Sequence, residues 1–224
     1  MKASIIIRAH NSEDTVGRAI ESAVSQDFPK KDFEVIVVND GSKDKTSEIL
    51  ENYKKETVLI NQKNKGAIPS ANKGFKLAKG KYVILLDADD YYRKNILKEM
   101  ASVLDKNPEI SFVYCDYYEK QKNGKIKITE AKNIFHSLAA ATMYRKKDLE
   151  KAGYWRAIKL PEYDLLLKTL KKWRGYHLAK PLYYFTRHKE SLSGKQDWVK
   201  KAMKELRGLH PDKLEEIKKI RKFR

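Results

Sequence analysis

An α/β fold with a sheet covered on both faces is predicted for this chain by three observations. Four apolar runs of strand length fall within the first ninety residues, each is followed by a segment of helical period, and none alternates polar with apolar as a half-exposed strand would. At 224 residues the chain can bury the core of one such domain.

Residues 3–7 (Ala-Ser-Ile-Ile-Ile) form the first strand and 13–26 the first helix, with Ser12 as its cap and Glu13 and Asp14 favouring its positive end. Residues 33–38 form a second strand that ends at the turn cluster Asn39-Asp40-Gly41-Ser42, and a helix over 45–54 follows. A third strand covers 57–60, and a helix over 67–79 is closed by Gly80. The fourth strand, 82–86, runs into Asp87-Ala88-Asp89-Asp90, and the next helix, 94–105, stops near Asn107-Pro108. Past residue 110 the pattern changes. Residues 110–118 and 125–129 flank Asn123-Gly124, a hairpin signal. Residues 138–144 read as a strand, 146–152 as a short helix closed by Gly153, 162–173 as a helix and 181–186 as a short aromatic strand. From 197 to 223 the chain reads as a basic helix or helix pair broken at Gly208 and Pro211. Its Trp198, Ala202, Leu206, Leu209, Leu214 and Ile217 either pack on the body, the commoner use of such a face, or lie on a membrane surface.

Lys and Arg number 48 against 30 Asp and Glu, a net charge of +18. Residues 1–110 carry only +2 of it and residues 111–224 carry +16, so the second half attracts anions: a phosphorylated small molecule, an acidic lipid or a nucleic acid. A nucleic-acid role is not favoured, because Tyr117, Tyr118, Tyr183, Tyr184 and Phe185 stand in no RNP-like or helix-turn-helix context. The single cysteine, Cys115, excludes an intramolecular disulfide framework and a cysteine-cluster zinc site. No apolar run approaches the ~20 residues of a spanning helix, and no leader pattern precedes the first strand. The expectation is a cytoplasmic protein, with the inner face of the membrane as a further location.

In a doubly wound sheet, ligands bind where the strands end at their carboxyl side. The polar breaks in the apolar runs lie at those ends: Arg8-Ala9-His10-Asn11, Asn39-Asp40-Gly41-Ser42 and Asp87-Ala88-Asp89-Asp90. Neither a G-x-G-x-x-G nor a P-loop pattern is present, so phosphates must be held otherwise. Asp87-Ala88-Asp89 offers two carboxylates separated by one residue, hard oxygen donors suited to Mg²⁺ or Mn²⁺, whose coordination a diphosphate would complete. The same acids also suit a helix start, Asp40 suits either a uracil imide or an ordinary turn, and His10 either stacks a base or sits partly buried.

These segments together resemble the nucleotide-side motifs of family 2 glycosyltransferases, inverting enzymes of the GT-A fold. Asn64-Lys65-Gly66, Asn72-Lys73-Gly74, Pro161-Glu162-Tyr163-Asp164-Leu165 and the stretch from Arg187 to Ser193 continue the likeness in order from about residue 3 to 194. The resemblance implies a GT-A domain over residues 1–194, with a nucleotide-binding half (1–109), an acceptor-side half (110–194) and a basic helical extension over 195–224. It implies transfer of a sugar from a nucleoside-diphosphate donor, UDP-linked by preference, to a hydroxyl of a saccharide or lipid-linked acceptor, with the basic tail as a peripheral membrane contact. By the same resemblance Ala9, His10, Glu13, Asp40, Lys65, Asp87, Ala88 and Arg187 surround the nucleotide, and Asp40 reads the base. Asp89, with Asp87 and His188, holds Mn²⁺ or Mg²⁺. Glu162 is the catalytic base and Asp164 its alternative. The chain departs from the family pattern in several places. Arg8-Ala9-His10 stands for Pro-Thr-Tyr, Ala71 for an Arg, and Pro161-Glu162 for Glu-Asp.

Overall fold

A computed structural model describes residues 1–121, 123–187 and 196–220. The first half alternates as expected: β1 (Ala3–Ala9), α1 (Val16–Val24), β2 (Phe33–Asp40), α2 (Thr46–Glu51), β3 (Val58–Gln62), α3 (Ala67–Leu77), β4 (Tyr82–Asp87), β5 (Tyr91–Tyr92) and α4 (Ile96–Lys106). There follow β6 (Phe112–Lys120), β7 (Ile126–Thr129), β8 (Thr142–Arg145), α5 (Lys146–Lys151), α6 (Pro161–Thr169), β9 (Gly175–Thr186), α7 (Gln196–Leu209) and α8 (Leu214–Lys218). Among the described residues these strands form one sheet in the order β3-β2-β1-β4-β8-β6-β9-β5, with β7 paired to β6. The pairs β2/β3, β1/β2, β1/β4 and β6/β9 are parallel; β4/β8, β6/β8, β6/β7 and β5/β9 are antiparallel, so the sheet is parallel in its first half and mixed beyond it.

Alternation along each strand divides the core between two faces. Ile5, Ile7, Val35, Val37, Ile84 and Leu86 meet Ala19, Ile20 and Ala23 of α1 and Ile96, Leu97 and Met100 of α4. On the other face Ile6, Ile36, Val38, Val83 and Leu85 meet Ala71 and Phe75 of α3, Leu165 to Leu167 of α6 and Ala202 and Leu206 of α7. Both faces are covered, which is why these strands carry apolar residues at successive positions.

Several local expectations change for physical reasons. Residues 12–15 form a turn, and α1 starts at Val16: the Ser12 carbonyl, not its hydroxyl, accepts the Val16 N–H, at 2.9 Å. Gly80 does not close α3, which ends at Leu77. A Cβ at Gly80 would lie 2.5 Å from the carbonyl carbon of Ala3, so glycine there permits close approach to β1. Residues 139–141 form a 3-10 turn ahead of β8, so the strand is shorter than predicted. Strand β9 begins at Gly175, six residues early, because residues 175–180 (Gly-Tyr-His-Leu-Ala-Lys) form no continuous apolar run and are held by backbone pairing to β6, with a register shift near Cys115 and Asp116. Strand β5 has two residues, too short to leave a periodic trace. Helix α7 continues through Gly208 to Leu209, and the break comes at His210-Pro211.

Candidate active site

The carboxyl ends of β1, β2 and β4 open into a cleft of about 1370 Å³. Its lining brings together Ala9, His10 and Glu13 after β1, Asp40 at the end of β2 and Lys65 ahead of α3. Asp87, Ala88 and Asp89 at the end of β4 join them, with Glu162 in the first turn of α6. The common hollow required by the sequence argument therefore exists.

The loop between β3 and α3 is shaped by Asp40. The carboxylate is buried; its Oδ1 accepts the Lys65 N–H and the Gln62 side-chain amide, each at 2.8 Å, and its Oδ2 accepts the Gly66 N–H at 2.8 Å. Gly66 has φ of +93°, a conformation that turns two successive N–H groups toward one carboxylate and that only glycine adopts cheaply. Burial raises the Asp40 pKa, but the hydrogen bonds from Gln62, Lys65, Gly66 and Ser70 outweigh it and hold the carboxyl below its ordinary range. His10 Nδ1 lies 2.9 Å from the Asp40 carbonyl oxygen and so must carry the proton. Its Nε2 faces the Asn64 amide at 3.2 Å, and the ring remains exposed at the cleft edge. Glu13 ties the loops after β1 and β2 together: its Oε2 accepts the Lys45 N–H at 2.9 Å, and its own N–H donates to Asp44 at 3.1 Å.

Three consecutive acids after β4 have three different surroundings. Asp87 is ion-paired with Arg8, whose Nε donates to Oδ1 at 2.6 Å. Asp89 lines the cleft, and its carbonyl accepts Arg18 Nη2 at 2.8 Å. Asp90 is buried and turned the other way, accepting the Tyr183 hydroxyl and, at 2.6 Å, the Thr186 N–H, so it fastens this loop to β9. Burial, then the charges of Asp89 and Asp87, push the Asp90 carboxyl well above the usual range despite those bonds.

Among the described residues no group of three or more His, Cys, Asp or Glu side chains gathers as a self-sufficient metal cage. The donor set present, Asp89 with Asp87 beside it on the cleft wall, suits a hard cation of the kind that takes one or two protein carboxylates and completes its shell with phosphate and water. The residues therefore fit Mg²⁺ or Mn²⁺ bound together with a diphosphate.

Helix α6 separates the two base candidates. It opens with Pro161 at its first position, favourable because proline's missing N–H is not needed there, and Glu162 follows at the cleft. Residues two apart on a helix point to different sides, so Asp164 faces inward. It is fully buried, 2.9 Å from His210 Nε2 and 3.5 Å from Arg156, and it does not line the cleft. The alternative base is thus corrected to a structural acid that fastens the segment after α7. Asp164→Ala would leave the His210 ring without its partner; the expected cost is about 1–3 kcal/mol, or roughly 2–12 °C in Tm at this chain length, read by thermal denaturation.

Arg187, expected beside the nucleotide, is engaged with β6. Its Nε donates to Glu119 Oε1 at 2.7 Å, and it lies outside the cleft lining. His188 lies outside the described residues. The structure adds to the cleft a 155–160 segment and residues of α7 that the motifs did not mark. Asn72 grips the backbone of Trp155 through both amide atoms, at 2.8 and 3.1 Å, and so places the 155–160 segment along the cleft. Trp198 and Glu205 of α7 also reach the lining, and Glu205 accepts the Lys159 N–H at 3.2 Å. No helix among the described residues is long and apolar enough to cross a membrane.

Comparison with known proteins bears on the fold and the family. The chain is 37% identical over 111 residues to the poly(ribitol-phosphate) beta-N-acetylglucosaminyltransferase TarS of Staphylococcus aureus, covering 48% of this chain and 19% of that protein. It is 35% identical over 117 residues to the Escherichia coli UDP-Glc:alpha-D-GlcNAc-diphosphoundecaprenol beta-1,3-glucosyltransferase WfaP, covering 51% of this chain and 45% of the other. The chain thus spans less than half the length of these curated relatives. The crystal structure of S. aureus TarS residues 1–349 in complex with UDP-GlcNAc superposes with a TM-score of 0.77 at 27% identity, over 92% of this chain and 65% of that one. The model of the family described as "Glycosyl transferase family 2" matches residues 4–160, and the chain belongs to that family.

Proposed function

We propose that this chain is the catalytic domain of an inverting, divalent-metal-dependent glycosyltransferase. It moves a sugar from a nucleoside diphosphate, UDP by preference, to a hydroxyl of a saccharide or lipid-linked saccharide. The observation that carries this reading is a cleft lined in common by Asp40, Asp87, Asp89 and, at the start of α6, Glu162. The likeness to a structure holding UDP-GlcNAc supports the donor class, and the name of WfaP supports a lipid-linked acceptor.

Asp40 holds the loop at Lys65 and Gly66, and with His10 it frames the pocket for the base. Glu162 takes the proton of the acceptor hydroxyl as that oxygen forms its bond to the anomeric carbon. The bond from that carbon to the diphosphate breaks on the opposite side, and the nucleoside diphosphate leaves with the electron pair. Asp89, with Asp87 beside it, would hold a divalent cation, whose charge would offset that of the departing diphosphate. Lys65, exposed at the cleft, adds a positive charge on the donor side.

The test is thermal denaturation with UDP-, GDP-, CMP- and dTDP-sugars, each with Mn²⁺ and with EDTA. A UDP-sugar at a hundred times its Kd should add about 2.7 kcal/mol, or roughly 5–11 °C, with a larger shift in Mn²⁺ than in EDTA. No shift with any sugar nucleotide at millimolar concentration would overturn the reading.

A further inference from the structure

At the position where the family pattern has proline, this chain places Arg8 inside the cleft. Arg8 is the penultimate residue of β1, and the parallel register sets it beside Asp87 of β4. Its Nε bonds Asp87 at 2.6 Å, and its side chain is only 26% exposed. The charges of Asp89 and Glu162 also act on it. Around it, β1 is otherwise apolar apart from Ser4, so no feature of strand packing calls for an arginine. A fixed cation, paired with Asp87 and within the field of Glu162 and Asp89, thus lines a cleft proposed to take a dianionic or trianionic ligand. Among the described residues only Nε is engaged, and Nη1 and Nη2 have no hydrogen-bond acceptor. A guanidinium with an open fork matches two phosphate oxygens, and unlike a metal ion it cannot dissociate.

Resting on the donor-site reading above, we propose that Arg8 is a donor-binding residue. It is held on Asp87 in the free protein and turns its Nη groups to the diphosphate of the bound nucleotide, so that this cleft keeps affinity for a nucleoside diphosphate when divalent metal is removed. The same pairing keeps Asp87 Oδ1 engaged and leaves metal ligation mainly to Asp89.

The experiment is calorimetric titration of UDP into the parent protein, Arg8→Met and Arg8→Lys, each in Mn²⁺ and in EDTA, with a melting curve for every variant. The parent should bind UDP in EDTA. Arg8→Met should bind at least tenfold more weakly than the parent in EDTA, with a smaller loss in Mn²⁺. Arg8→Lys, which keeps the charge without the fork, should fall between them and serves as the measure if Arg8→Met does not fold. A purely structural role would weaken binding equally in both buffers, and that result overturns the proposal. So does equal affinity of parent and Arg8→Met in EDTA. Parent binding in Mn²⁺ with none in EDTA also overturns it while leaving the donor-site reading intact. No UDP binding in either buffer removes the donor-site reading itself.

Discussion

Glu162→Gln should lower kcat for sugar transfer about 10²–10⁴-fold, the usual contribution of a positioned general base, while the KM for the donor stays within about threefold. Glutamine keeps the size of the side chain and the hydrogen-bonding reach of Glu162 but cannot accept the acceptor's proton. The residues proposed to hold the donor, Asp40 at the end of β2 and Asp89 in the turn after β4, lie on other elements, so the substitution should leave donor binding largely intact. Nearby charge bookkeeping supports the location: burial first, and then the charge of Glu162, push the Tyr144 hydroxyl up, and the same charge reaches Arg8. Initial rates of UDP release in the presence of acceptor give the split between kcat and KM. Glu162→Asp should retain part of the activity, since it keeps the carboxylate one methylene further back. Turnover of Glu162→Gln within threefold of the parent would assign the base elsewhere.

Asp89→Ala should reduce transfer about 10²–10³-fold and remove the extra thermal stabilisation that UDP gains from Mn²⁺. The substitution is well suited to the question because the backbone carbonyl of Asp89, not its carboxylate, accepts Arg18, so the loop keeps that bond in the variant. The adjacent Asp90 behaves differently: it is buried against Tyr183 and Thr186, and its loss would loosen the loop from β9. A metal role for Asp89 would show as a lost difference between Mn²⁺ and EDTA in the stabilisation that UDP gives, each measured against the melting temperature of the same variant without ligand. Wild-type turnover in Asp89→Ala would remove that role.

The degree to which the site was legible varies with how local each interaction is. Asp40, Asp87 and Asp89 could be placed together because a doubly wound sheet sends the ends of its parallel strands to one side, so residues that interrupt the apolar runs meet there whatever the loops do; Glu162, at a helix start, was marked only by the family resemblance. Asp164 and Arg187 were not readable. Their partners, His210 and Glu119, lie 46 and 68 residues away, and nothing in the local pattern shows whether a carboxylate or guanidinium faces the cleft or another element. Strand β9 was read at half its length for a related reason: its pairing with β6 rests on backbone hydrogen bonds, which a polar sequence serves as well as an apolar one. The Asn-x-Gly pairs were recognisable as motifs, yet their physical purpose appears only in three dimensions. Gly66 turns two N–H groups onto Asp40, and Gly74 lets α3 approach Ile6 so closely that a Cβ would come within 2.3 Å of its side chain.

By itself, then, the order of residues determined the layering of the first half, the strand ends at which polar groups emerge, and the family. Apolar period and turn chemistry are local properties that survive in one dimension. The tertiary structure alone decided which acids face the cleft, that Arg8 is seated among them, and that α7 rests on the body with Trp198 at the cleft lining. Those outcomes depend on contacts between segments far apart in the chain, where burial and charge pairing are settled only once the elements have packed.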